Sequence, residues 1–211
     1  MKHGASRELY AYWDRVRAGE PAPPRSAIEP SDIRRILPDT FILEAIDRDT
    51  YGVRLAGTRV CAIYGREIKG TNFLDLWRRD DRSAIATLAA AVAEDGAGAV
   101  VTLEGRSARN QEVTCELLLL PLRHGGTAFD RVLGSLAALD RPYWLGVEPV
   151  RHQTVASLRL IWPDNAPRFL RRRTDPGQGE APPRTALAPA GLAPGNSRRH
   201  GHLFVVDGGK T

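Results

Sequence analysis

The most organised pattern of apolar and polar positions runs from Tyr51 to Trp77, YGVRLAGTRVCAIYGREIKGTNFLDLW. Tyr51, Val53 and Leu55 alternate with Arg54, the period of a half-buried strand. Gly57-Thr58 breaks the alternation. Thr58 is placed to cap a short helix in which Val60, Cys61 and Tyr64 recur at three- and four-residue spacing. Gly65 closes that helix and Gly70 makes a second turn. Thr71 or Asn72 then caps another short helix carrying Phe73, Leu76 and Trp77. A strand feeding a broken run of helices with an apolar edge predicts a lid, which a sheet must complete.

The flanking segments supply that sheet. Residues 6–18 predict an amphipathic helix with Leu9, Tyr10, Trp13 and Val16 along one stripe. Gly19 and the prolines at 21, 23 and 24 end it in an extended connector. Residues 30–36 predict a short helix with Ile33 and Ile36 inward, stopped by Pro38. Residues 40–47 and 51–56 predict two strands joined by the turn-forming run Asp47-Arg48-Asp49-Thr50. A longer helix follows through about Glu94, with Ile85, Leu88, Ala89 and Val92 at helical period. Three more strands, over 99–104, 112–120 and 131–139, follow one another across short turns and predict an antiparallel meander. Val101 and Leu103 share a face of the first, and Val113, Cys115, Leu117 and Leu119 a face of the second. Leu118 and Leu120 make the opposite face apolar beyond Thr114 and Glu116. Leu9 and Trp13 offer the surface to cover it, and pairing of the same helix with a second copy is compatible with that.

The run RLAGTRVCAIYGREIKGTNFLDLW, preceded by the strand TFILEAID, resembles the PAS sensory fold, and within it a standalone bacterial PAS group. The Gly-Thr-Arg-x-Cys and Tyr-Gly-Arg-Glu-x-x-Gly portions are the most specific, and the resemblance extends from about residue 5 to residue 162. It implies an α+β fold: a five-stranded antiparallel sheet, short helices over one face, and a chamber between them. The residues it would place around that chamber are Leu55, Cys61, Tyr64, Phe73, Trp77, Leu88, Val101, Leu103, Cys115 and Leu117, as ligand pocket or as plain core. It also implies that Leu9, Tyr10, Trp13 and Val16 are candidates for a dimer or partner surface, because such helices commonly lie at PAS dimer contacts. The flavin-binding pattern around a reactive cysteine, Asn-Cys-Arg-Phe-Leu, is absent, since Ala62-Ile63 follows Cys61. No histidine falls within residues 81–94 to act as a haem ligand. Flavin and haem are therefore disfavoured, and the cofactor is left unknown. Arg66 and Glu67 are read as an ion pair fixing their turn, or else as a recognition surface.

The resulting division is residues 1–30 for helix and connector, 31–140 for the core, 141–162 for an extension and 163–211 for a tail. The extension is apolar without a clean period and fits either an added edge strand or a docked arm. Prolines, glycines and arginines dominate the tail through residue 196, which predicts disorder. Leu203-Phe204-Val205-Val206 interrupts that composition and fits a short strand added to a sheet edge.

Charge changes this picture only once it is located. The net charge is +5, but from Asp164 onward eight Lys or Arg face four Asp or Glu, a surplus of four, which leaves the first 163 residues with one. The folded part is nearly neutral. Nucleic-acid contact is thereby assigned to the tail, around Arg171-Arg172-Arg173, as the alternative to a protein-binding module. No apolar run approaches the roughly 18 residues of a membrane span. The first residues also lack the apolar centre of a signal peptide, so the expected location is the cytoplasm.

Chemistry is sparse. No GxxxxGK[ST] or strand-linked GxGxxG is present, and Gly65 to Gly70 only superficially resembles a phosphate loop. His200 and His202 flank a glycine without a second pair at ligand spacing. No nucleophile sits in a recognisable elbow. Two cysteines are too few for a disulfide framework, and each lies in an apolar pattern where a thiol packs as a small hydrophobe. The expected function is a non-enzymatic sensor or adaptor that acts through a protein partner.

Overall fold

Six strands form one sheet in the computed structural model, which describes residues 1–125 and 129–162. They are β1 (Thr40–Asp47), β2 (Thr50–Ala56), β3 (Gly98–Ser107), β4 (Glu112–Leu122), β5 (Arg131–Ala138) and β6 (Val150–Ile161). Their order across the sheet is β2-β1-β5-β4-β3-β6, and every neighbouring pair is antiparallel. Helix α1 (Gly4–Arg17) precedes the sheet, while α2 (Thr58–Tyr64), a 3-10 turn at Phe73–Leu76 and α3 (Arg79–Asp95) lie between β2 and β3.

The sheet has one strand more than the five expected. β6 pairs with β3 from Gly98↔Ile161 to Ser107↔Val150, so residues 150–161 of the 141–162 segment are an added edge strand. Its alternation is hidden in the sequence because the register slips where Thr102↔Ser157 gives way to Leu103↔Val155. Ala156 is the extra residue, and a bulge of one residue exchanges the two faces of a strand.

Two apolar layers flank the sheet. On the inner face Phe41, Leu43, Val101, Leu103, Cys115 and Leu117 pack with Val60, Phe73, Trp77, Ile85 and Leu88 of the lid. On the outer face Ile42, Val100, Leu118, Leu120 and Leu133 pack with Leu9 and Trp13 of α1. Leu9 and Trp13 are fully buried, and the Trp13 indole donates to the Pro121 carbonyl at 2.8 Å. The stripe of α1 is thus committed to its own sheet. Tyr10 and Val16 pack at its rim only partly buried, so Leu9 and Trp13 are not available to a second copy while this packing holds.

Glu116, on the face of β4 that α1 covers, is 1% exposed. Its carboxylate accepts from the backbone N–H groups of Lys2 at 2.6 Å and His3 at 3.0 Å, fastening the start of α1 to the middle of β4.

Leu55 departs from its expected place. The pairing of β1 with β2 slips between Ile42↔Leu55 and Leu43↔Val53, so Arg54 is the extra residue of a bulge. Tyr51 and Val53 remain buried, but Leu55 is turned to the other face and is 44% exposed. It does not line the chamber.

Candidate functional site

Gly57 fixes where the lid begins. A Cβ at this position would collide with the Leu37 carbonyl and the Pro38 backbone, so only glycine lets the chain pass this close. Its N–H donates to the Thr40 carbonyl at 2.7 Å, and the next turn is pinned by Arg59 to the buried Asp39 carboxylate at 2.6 Å. Gly57, rather than Thr58, is the residue preceding α2. Asn72 performs the expected capping role, accepting from Leu74 N–H at 3.2 Å, and it also accepts from Tyr51 N–H at 3.0 Å. These contacts explain the glycine, arginine and asparagine of the lid sequence without invoking a ligand.

The chamber is filled by aromatic packing. Phe73 stacks on Phe41 with ring centroids 5.6 Å apart and meets Trp77 edge-on at 6.1 Å. Cys115 is buried among these residues, and burial pushes its thiol up to about 12, so it stays protonated. Cys61 is only half-buried, and its thiol lies against the Glu67 carboxylate at 3.5 Å. Burial, together with that carboxylate, holds this thiol above its ordinary value against a lowering contact from the Ile68 backbone, which disfavours a reactive thiolate. The Trp77 indole N–H is the one buried side-chain nitrogen or oxygen without a partner among the described residues.

Tyr64 stands apart from the other candidates. It ends α2 with its ring in the core, and its hydroxyl donates to Gln153 Oε1 at 3.1 Å. Burial keeps the phenol far above the usual tyrosine range, outweighing its bond to Gln153, so it remains a neutral donor. Gln153 lies on β6, is 2% exposed, and donates from Nε2 to the Leu76 carbonyl at 3.0 Å. One amide therefore joins the end of α2, the end of the Phe73–Leu76 turn and the edge strand.

Above this amide opens a polar cleft of about 130 Å³, lined by Tyr64, Arg66, Asp75, Leu76, Val150, Arg151, His152 and Gln153. Sequence reasoning reached Tyr64 but missed Arg151, His152 and Gln153, which sit in a segment whose bulge obscures its period. Arg66 and Glu67 do not pair among the described residues. Glu67 instead accepts from the Lys69 N–H at 3.0 Å, a bond that holds its carboxyl below the usual range.

Among the described residues no group of three or more His, Cys, Asp or Glu gathers to hold a metal ion, and no helix is long and apolar enough to cross a membrane. Arg171-Arg172-Arg173, His200, His202 and Leu203-Phe204-Val205-Val206 lie outside the described residues.

Comparison with solved structures finds partial likeness. A variant of RsLOV shares 24% identity at a TM-score of 0.39, over 49% of this chain and 61% of that one. The crystal structure of the Rhodobacter sphaeroides LOV protein shares 21% at 0.40, over 55% and 71%. An RNA-binding light-oxygen-voltage receptor shares 20% at 0.40, over 54% and 33%. The chain thus spans less than two thirds of the first of these, at 61%. No curated protein matches it in sequence. The profile described as PAS domain matches residues 1–137, from α1 through nearly all of β5, and so takes in both the lid and the helix that backs the sheet. By that match over more than half of its length, the chain belongs to the PAS domain family.

Proposed function

We propose that this chain is a non-enzymatic sensory module that takes a small ligand at the cleft above Gln153 and passes its occupancy to a protein partner. The observation that carries this reading is the bridging amide itself. A ligand that pulls on Gln153 changes the hold of β6 on both lid elements at once. Two packings of lid and edge strand would then differ in free energy only by the ligand's differential affinity for them. Partner contact is assigned to the segment entering β6, where Tyr143 and Val147 are 90% and 83% exposed.

The residues around the chamber do not suit a flavin or a haem. Aromatic side chains fill the space, and the Trp77 indole nitrogen is the one buried side-chain nitrogen or oxygen with no partner at all among the described residues. Among the described residues no histidine is buried. A ligand in the peripheral cleft needs no such space.

Native mass spectrometry of the full chain tests the reading, because it reports bound mass and oligomeric state together. The expected result is a small adduct, at substoichiometric or full occupancy, that is lost in Gln153→Ala. A protein that is bare in every preparation, and whose melting temperature no small molecule shifts, would overturn it.

A further inference from the structure

We infer that the ligand of this cleft is a small oxyanion, a carboxylate or phosphate group, held by Arg66, Arg151 and His152 above the amide of Gln153. This rests on reading the cleft as the input site. Arg66 follows α2 and Arg151 and His152 lie on β6, so two elements far apart in sequence bring cationic and donor groups to one opening of about 130 Å³.

The charge there is not internally balanced. Asp75, the one carboxylate of the lining, is already paired with Arg82 at 2.8 Å. Glu148, two residues ahead of Val150, is likewise paired, with Arg109 at 3.2 Å. Arg66 and Arg151 have neither an ion pair nor a side-chain hydrogen bond among the described residues. Within the lining two guanidinium groups, those of Arg66 and Arg151, accompany one carboxylate that Arg82 already pairs from outside it, a surplus of one positive charge. Guanidinium forks match the paired oxygens of carboxylate and phosphate. A neutral imidazole still donates one N–H, so His152 contributes in either protonation state.

The floor supplies the complement. Gln153 has two N–H donors on its amide nitrogen and uses one on the Leu76 carbonyl, which leaves the second uncommitted in a group that is 2% exposed. The Tyr64 hydroxyl is already engaged on the amide oxygen, so it fixes which end of the amide is the donor. The cleft is open to solvent, and its volume of about 130 Å³ has room for a phosphate or a short organic acid. Binding would draw Arg66 on the lid side toward Arg151 on the edge strand, across the same junction that Gln153 spans.

The test is calorimetric titration of the full chain with sodium phosphate, acetate and succinate, each against sodium chloride at equal ionic strength. Saturable 1:1 binding of at least one of them is expected, weakened about tenfold or more in both Arg66→Gln and Arg151→Gln. Arg159→Gln, exposed farther along β6 and outside the cleft, should leave it unchanged. Binding of phosphate alone assigns a phosphorylated ligand, and binding of the carboxylates alone assigns an organic acid. No saturable binding beyond chloride, indifference to both cleft variants, or an equal loss in Arg159→Gln would overturn the inference. A neutral adduct in native mass spectrometry that still depends on Gln153 would sink the oxyanion and leave the sensor reading standing.

Discussion

The Phe41 ring lies directly over Gly134, its register partner on the neighbouring strand β5. A Cβ at 134 would fall on the ring, so glycine here makes room for the largest side chain on β1 and, through it, for the Phe41–Phe73 stack. Gly134→Ala must displace the ring into a filled layer. The expected loss is about 1–3 kcal/mol of unfolding free energy, read from urea denaturation.

Glu116 ties stability to pH. Burial would push its carboxyl up, but the Lys2 and His3 backbone donors, the Ser6 hydroxyl and the terminal ammonium outweigh that and hold it below the usual carboxylate range. A lowered folded value stabilises fully above the unfolded value of roughly 4.3 and is lost as pH falls through the folded one. The stability difference between the native sequence and Glu116→Gln should therefore be level from pH 6 to 8, on the order of 1–3 kcal/mol, and shrink in acid below roughly pH 4. Denaturation curves across that range check it.

The bulge at Arg54 makes opposite demands on two leucines that look equivalent in sequence. Leu103 is 2% exposed in the inner layer and Leu55 is 44% exposed outside it. Leu103→Ala should cost about 2–5 kcal/mol, and Leu55→Ala should stay within about 0.5 kcal/mol. Equal losses would place Leu55 back in the core.

The thiols should separate by burial. Cys115, buried and shifted to about 12, should resist alkylation at neutral pH until the chain unfolds. Half-buried Cys61 should react first but slowly, since burial also raises its value. Mass-resolved labelling with iodoacetamide, native against urea-unfolded, gives the order directly.

Much of this architecture is legible from apolar period alone, because β3 and β4 keep one face buried throughout and α3 keeps one buried stripe. The cover of Leu118 and Leu120 by Leu9 and Trp13 could be inferred because two leucines on an otherwise polar face require a partner. What stayed hidden has two causes. Single-residue bulges at Arg54 and Ala156 exchange the faces of β2 and β6, which misplaces Leu55 and obscures the sixth strand. The cleft is assembled by long-range contacts, Tyr64 with Gln153 and Gln153 with Leu76, that leave no local spacing to recognise. A lone glutamine in a run of exposed residues carries no such signal.

The claim on which the functional account turns is that Gln153 makes the lid and the edge strand open as one unit. Hydrogen exchange of Gln153→Ala against the native sequence measures this. Faster exchange is predicted together in Val150–Ile161, Thr58–Tyr64 and Phe73–Leu76, with Gly4–Arg17 on the far face unchanged. Faster exchange confined to Val150–Ile161, with both lid segments at their native rates, would contradict it.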